Sequence, residues 1–317
     1  MKLGLYSISL AGGFYDGPSL SLLEIVRRVR EWGYEGVEVS AKRPHGSPLD
    51  LDERRRRELV SVARQEGVEL PVVAAYTDFS SPIEEHRENE LLMAREVVRL
   101  AADLGAPIVR VFAAWAGITR REGRWTYDQV RYNVGPVQQY YDRFPGVTQL
   151  ERWTFVRDCL AETARVAEAH GVTLALQNHE PIVHGHEEVL EFVEEVGSLA
   201  LKVSLDCPIM KDQSEEAIRR AVRETGNLMV HTHFGGEYDE GPAGPAGVPA
   251  PRKLSKAGRL ANYPAFIRAI KERGYDGYLA YELCHPCLIG HRYFGLDEAL
   301  NQVQRASRYL RHLIETA

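Results

Sequence analysis

Four short segments in the second half of the chain end in side chains suited to acid–base or metal chemistry. They read Leu174-Ala175-Leu176-Gln177-Asn178-His179-Glu180, Val203-Ser204-Leu205-Asp206-Cys207-Pro208, Val230-His231-Thr232-His233-Phe234-Gly235-Gly236-Glu237 and Leu279-Ala280-Tyr281-Glu282-Leu283-Cys284-His285-Pro286. Successive side chains on a strand point to opposite faces. Gln177 therefore shares a face with Ala175 and His179, Asp206 with Ser204, His233 with His231, and Glu282 with Ala280 and Cys284. The aliphatic Leu174, Leu176, Val203 and Leu205 face the other way. Gln177, Asp206, His233 and Glu282 each stand at the last turn of a strand and are expected at one depth. Two carboxylates meeting in a half-buried mouth repel and raise each other's pKa, a conflict that a divalent cation relieves. An amide oxygen, an imidazole and two acids, with no thiolate, suit Mn²⁺ as first choice and Mg²⁺, Co²⁺ or Zn²⁺ as alternatives. The expected metal ligands are thus Gln177, Asp206, His233 and Glu282.

What must position them is a regular alternation of strands and helices. The pattern predicts strands at Leu3–Leu10, Gly36–Ser40, Leu70–Tyr76, Ile108–Ala114, Thr173–Asn178, Leu201–Asp206, Leu228–Phe234 and Tyr278–Leu283. Helices are predicted at Ser19–Trp32, Asp52–Glu66, Glu84–Leu104, Leu150–His170, Glu187–Val196, Ser214–Glu224, Tyr263–Arg273 and Leu296–Ile314, with Ser19, Asp52 and Ser214 as caps. Such a succession gives a parallel sheet with crossover helices. No strand leads into a GxGxxG turn of the dinucleotide type, and polar residues crowd the late strand ends. Closure into a (β/α)8 TIM barrel of the α/β class brings those ends to one mouth, where barrels place their chemistry. A single barrel domain over residues 1–317 is expected, with long loops after strands four and seven. The first, Trp115 to Gln149, carries Trp115, Trp125, Tyr127, Tyr132, Tyr140, Tyr141 and Phe144 and suits a sugar ring or a neighbouring subunit equally. The second, Gly235 to Asn262, contains Gly241-Pro242-Ala243-Gly244-Pro245-Ala246-Gly247, which can form neither helix nor strand.

Composition bounds the possibilities. The 317 residues are 44% hydrophobic and carry 39 basic against 45 acidic side chains, a net −6. That is enough apolar material for a large core and argues against disorder. The acidity argues against a nucleic-acid partner, and Arg54-Arg55-Arg56-Arg57 reads as a solvated helix face. No run approaches the roughly 18 apolar residues of a membrane span, and the N-terminus reads as a strand and not a signal peptide. Four scattered cysteines point to a reducing, cytoplasmic setting, and Cys284-His285-Pro286-Cys287 reads as coincidental spacing.

These segments resemble the xylose-isomerase-like barrel superfamily, in the sugar isomerase/epimerase branch that includes D-tagatose 3-epimerase and inosose dehydratase. The resemblance runs over nearly the whole chain in strand order, and Tyr275-Asp276-Gly277-Tyr278 leading to Tyr281-Glu282-Leu283-Cys284 is much like the family's approach to strand eight. It implies a Glu, Asp, His, Glu ligand set from strands five to eight. Asp206, His233 and Glu282 match it, and Gln177 stands where the first Glu would be. It also implies a metal that holds a carbonyl and an adjacent hydroxyl and stabilises an enediolate, with two glutamates working on opposite faces of one carbon. Glutamine cannot take a proton. The family's histidine three residues past the strand-six Asp is Ile209 here, and its arginine six past the metal His is Asp239.

The expected activity is therefore a metal-dependent sugar isomerase or epimerase acting on a keto sugar or related polyol. The alternative is a lyase of the same superfamily, a 3-keto-C-glycoside deglycosidase or dehydratase. Glu282 is the expected catalytic base and His179 its acid/base partner. His231 is expected to support the metal site. His184 and His186 reach either the mouth or the surface, and Arg110 is expected to pair with Glu38. An apurinic endonuclease would need a multi-zinc cluster and a basic groove, which the chain does not offer. A non-catalytic barrel, with Gln177 marking lost catalysis, is the remaining reading. Expected partners are a small-molecule sugar and a second copy or partner subunit, with no nucleic acid or membrane. No glycine-rich phosphate cradle is evident, which tilts toward an unphosphorylated substrate.

Overall fold

The computed structural model describes residues 1–121, 123–126, 144–241, 247–253 and 261–317. Its centre is a closed barrel of eight parallel strands. They are β1 (Lys2–Tyr6), β2 (Gly36–Ser40), β3 (Glu69–Ala74), β4 (Ile108–Val111), β5 (Thr173–Gln177), β6 (Leu201–Ser204), β7 (Met229–Gly235) and β8 (Tyr278–Glu282). Each strand pairs with its neighbours in sequence, and β1 closes the ring onto β8. Around it stand α1 (Leu22–Arg28), α2 (Glu53–Gln65), α3 (Glu84–Leu104), α4 (Gln149–Ala169), α5 (His186–Val196), α6 (Glu215–Thr225), α7 (Tyr263–Glu272) and α8 (Leu296–Thr316).

The predicted order of elements holds throughout, and the differences lie at the ends. The first strand stops at Tyr6, and Ser7–Leu10 form a 3-10 turn. There the Ser7 hydroxyl accepts from the Ser40 amide at 3.0 Å and the Ser9 hydroxyl from the Leu283 amide at 2.9 Å. Side-chain oxygens thus replace the ladder and free the backbone to turn. Strand four likewise ends at Val111, because the Thr77 side chain takes both the amide and the carbonyl of Phe112. The first helix is capped by Ser21 and not Ser19. Ser21 has Glu24 three residues on, so the pair forms a reciprocal capping box. Asp52 and Ser214 cap α2 and α6 as expected.

The layer between strands and helices is aliphatic, with Leu174, Leu176, Val203 and Leu205 wholly buried in it. The barrel interior is unusual in being ionic. Glu38 on β2, Arg110 on β4 and His231 and His233 on β7 are all buried there. Charges of this kind persist in an interior only when paired.

Above the mouth, Thr119–Arg121 and Arg124–Thr126 form a hairpin after β4, and Glu237–Asp239 pairs with Ala250–Lys253 after β7. Tyr127, Tyr132, Tyr140, Tyr141 and most of the Gly/Pro run lie outside the described residues. The arginine run lies along α2, where Arg54 and Arg57 pair with Glu58 and Glu53 on an exposed face. All four cysteines are buried and none is in a disulfide. Among the described residues no helix is long and apolar enough to cross a membrane.

Candidate active site

The strand-end geometry brings the four expected residues into one cluster. The Gln177 amide nitrogen donates to Asp206 Oδ2 and lies 3.3 Å from His233 Nδ1. His233 Nδ1 is 3.1 Å from Asp206 Oδ2 and 4.0 Å from Glu282 Oε2. Asp206 stands beyond the end of β6 and is held there by Asn178. The Asn178 side-chain oxygen accepts the Asp206 amide at 2.7 Å, and its nitrogen donates to the Asp206 carbonyl at 3.3 Å. The other Asp206 oxygen accepts the backbone amide of His233 at 2.9 Å.

Beneath this cluster lies a second layer. Glu38 Oε2 accepts from His233 Nε2 at 2.8 Å and from His231 Nε2 at 3.0 Å. Arg110 Nε stands 3.6 Å from Glu38 Oε1, which is the ion pair expected from the sequence. Arg110 also donates to the Tyr6 hydroxyl at 2.9 Å and to the Gln177 oxygen at 3.2 Å. Tyr6 lies flat against His233, with ring centres 5.3 Å apart and planes 5° apart.

The electrostatics follow from that packing. Burial works against the charged form of His233, but the carboxylates of Glu38 and Asp206 on its two sides outweigh it and push its pKa up to about 10. Burial likewise opposes ionisation of Asp206 and Glu38, and the imidazoles beside them prevail, holding both well below the usual carboxylate range. His231, hydrogen-bonded to Glu38, is pulled below its ordinary value by burial, with the charge of His233 adding to this against the pull of Glu38 and Asp206.

Besides a more exposed trio, His186, Glu187 and Glu224, two sets of atoms at the barrel's centre could hold a divalent cation. Glu38, His231 and His233 offer ligand atoms all within 4.8 Å of one another. That trio sits under the cavity floor, and its separations match ordinary hydrogen bonds. Asp206, His233 and Glu282 form the other set, and Asp206 and Glu282 line the open cavity. In that set His233 would present Nδ1 while Nε2 donates to a carboxylate, the arrangement that fixes a metal-binding histidine. The donors fit a cation. Gln177 departs from the expected set, because its oxygen points at Arg110 and its nitrogen at the cluster.

The cavity and the open solvent at its entrance together span about 460 Å³, and its walls include Tyr6, Lys42, Tyr76, Phe112, Trp115 and His179. His179 sits edge-on to Phe112 and Trp115, at 5.0 and 5.5 Å between ring centres. Its Nδ1 donates to the Glu180 carbonyl at 2.6 Å, which makes Nε2 the basic nitrogen of the neutral ring. Ile209 also lines the cavity, while Asp239 is exposed and pairs with Arg252. His184 and His186 are not in the wall. They contact Glu180 at 3.4 Å and Glu224 at 2.7 Å. The sequence reading missed Tyr6, Lys42 and Tyr76, and missed the grip of Glu38 on both imidazoles. Alternation from Glu38 through Ser40 to Lys42 was the available signal on β2.

A closed eight-stranded parallel barrel with a polar cluster at the ends of its late strands narrows the class. The family model described as "xylose isomerase-like TIM barrel" matches residues 26–313, and the chain belongs to that family. Solved structures of the same fold include a D-psicose 3-epimerase from Clostridium cellulolyticum H10 with D-tagatose, at 18% identity and TM-score 0.70 over 99% of both chains. A 3-keto-D-glucoside 4-epimerase from E. coli matches at 18% identity and TM-score 0.65 over 100% of both chains. A probable 3-DHS dehydratase from Bacillus anthracis matches at 16% and 0.64 over 98% of this chain and 99% of that one. A search of curated protein sequences gives no match.

Proposed function

We propose that this chain is a divalent-cation-dependent enzyme that removes a proton next to the carbonyl of a keto sugar or related polyol, as a sugar isomerase or epimerase. The observation that carries the reading is the meeting of His233 with Asp206 and Glu282, two acids that line an aromatic-walled cavity. The cation, Mn²⁺ in the first instance, would draw electron density from a substrate carbonyl and so acidify the neighbouring C–H. Asp206, His233 and Glu282 would hold it, with Gln177 supporting Asp206 through its amide. Glu282 takes the substrate proton, and His179 Nε2 serves as the second proton-transfer group. The aromatic walls orient the ring and exclude water.

A lyase is the second reading, and Gln177 favours it. With an amide in place of a second glutamate, proton transfer from one face followed by loss of a leaving group needs fewer bases than inversion. The epimerase and dehydratase structures of this fold keep both outcomes in view.

Incubation of Mn²⁺-loaded protein in D₂O with a panel of ketoses and 3-keto-glycosides tests the proposal. Deuterium is expected at the carbon beside the carbonyl, and product analysis separates isomer from elimination product. Glu282→Gln should fold normally by circular dichroism and lose exchange by a factor on the order of 10²–10⁴. No exchange across the panel, or undiminished exchange in Glu282→Gln, overturns the assignment.

A further inference from the structure

Lys42 stands two residues past β2 with its side chain in the cavity wall. Its ammonium lies 4.7 Å from the ring centre of Tyr76 and 4.2 Å from that of Trp125. The Trp125 ring is fixed in turn, since its backbone amide donates to the Gly13 carbonyl at 2.8 Å and the ring meets Phe14 edge-on at 5.4 Å. Two rings thus clamp the lysine, yet among the described residues it makes no ion pair. The charged group that acts on it most is Arg120, of the same sign, and burial pulls its pKa down to about 8.

The cavity's other cation is already committed. Arg110 divides its donors among Glu38, Tyr6 and Gln177. Ring faces compensate an ammonium only in part for lost water. Among the described residues, Lys42 is therefore a positioned charge that lacks an anion. Its location says where that anion would come from. In the ring of eight strands β2 lies opposite β6, so Lys42 faces Asp206 across the mouth, with His233 and Glu282 on the next strands round. With the acids on the far side neutralising the proposed dication, Lys42 is the charge left over to meet an anionic group. One ammonium in the cavity wall, beside an Arg110 that is already committed, matches a monoanion better than a phosphate dianion.

We propose that the substrate carries a carboxylate at the end remote from its reacting carbon, and that Lys42 binds it. The proposed sugar chemistry is the reading on which this inference rests. A keto-uronate is the class indicated: the carbonyl end reaches Glu282 and the acid end reaches the clamped lysine.

The test is a matched pair of ligands that differ only in this group, D-tagaturonate and D-tagatose, with D-tagatose 6-phosphate as a third. Binding is measured by titration calorimetry on the full chain with Mn²⁺, for the unsubstituted protein, Lys42→Met and Lys42→Arg. The uronate is expected to bind about 10-fold or more tighter than the neutral ketose, the range of a charge-assisted contact. Lys42→Met should erase that preference and leave D-tagatose affinity within about 2-fold, and Lys42→Arg should restore part of it. Circular dichroism checks each fold. If Lys42→Met does not fold, the preference of the unsubstituted protein and its weakening in high salt carry the test. Equal affinity for the pair, or a preference that survives Lys42→Met, overturns the proposal. Tighter, Lys42-dependent binding of the phosphate overturns the carboxylate assignment. Solvent exchange on neutral ketoses without any uronate preference would remove Lys42 and leave the sugar chemistry standing. Neither exchange nor binding would remove both.

Discussion

The amide oxygen of Gln177 accepts from the guanidinium of Arg110 at 3.2 Å, and this turns its nitrogen toward Asp206. Reversing the amide would set NH₂ against a buried guanidinium that has only donors. The neutral side chain thus joins a cation on one side to an anion on the other. Replacing Gln177 by Glu keeps the Arg110 contact but puts a second carboxylate against Asp206. Arg110 is already shared with Glu38, so the new charge is only partly matched. Gln177→Glu is expected to lose on the order of 2 kcal/mol without added cation, or about 4 °C in melting temperature. Mn²⁺ should restore more stability to it than to the parent. Thermal melts with and without Mn²⁺ decide the matter, and identical responses of the two proteins would refute it.

The Arg110–Glu38 pair makes a separate prediction. Both side chains are buried, and Glu38 also carries the hydrogen bonds of two imidazoles. Arg110→Met removes the positive charge and the fork that reaches Tyr6 and Gln177. One partner of a buried pair cannot be removed without leaving the other uncompensated, at about 3–5 kcal/mol. Urea denaturation should show a loss of that size, with Arg110→Lys in between. A loss under 1 kcal/mol would mean the imidazoles alone satisfy Glu38.

Glu90 on α3, which accepts the Asp78 amide, gives a pH prediction. Burial pushes its pKa up to about 7, and the neighbouring Asp78 charge adds to this against the hydrogen bond from the Asp78 amide. The folded chain then holds a proton that the unfolded chain, titrating near 4.5, has released. Stability should therefore fall as pH rises from about 4.5 to about 7, and level off above. Glu90→Gln keeps an acceptor for the Asp78 amide and removes this loss. The expected gain is up to about 3 kcal/mol at pH 8 and none at pH 4. Denaturation curves at the two pH values provide the check, and an equal gain at both would point to a cause other than ionisation.

These residues also mark what could be read without coordinates. Strand alternation accounts for Gln177, His233 and Glu282 turning inward together, because a barrel must turn one face of each strand inward, whereas Asp206, past the end of β6, is held beside them by Asn178. The pairing of Arg110 with Glu38 followed from the same rule. The double grip of Glu38 on His231 and His233 did not, since it joins positions 193 and 195 residues apart. Periodicity says which way a side chain faces but not which partner it meets. The orientation of the Gln177 amide was equally hidden, because it depends on the donor that Arg110 brings from another strand. Strand ends were misjudged where Ser7, Ser9 and Thr77 substitute side-chain oxygens for ladder partners, a local choice that hydrophobic patterning does not register.

His179 separates the two proton-transfer roles. Its ring is held edge-on by Phe112 and Trp115, and its Nδ1 is committed to the Glu180 carbonyl. His179→Phe preserves the aromatic contacts and removes the basic nitrogen. If Glu282 takes the first proton, exchange of the substrate's α-hydrogen with D₂O should persist in this variant. Net conversion, which needs a second group to return a proton or assist the leaving group, should fall by about 10²–10³-fold. Both quantities come from one NMR time course on the same sample, so a misfolded fraction would lower them together. In a variant that folds normally by circular dichroism, exchange and conversion falling in step would place His179 in substrate binding, and the assignment of a second acid/base would pass to another residue of the wall.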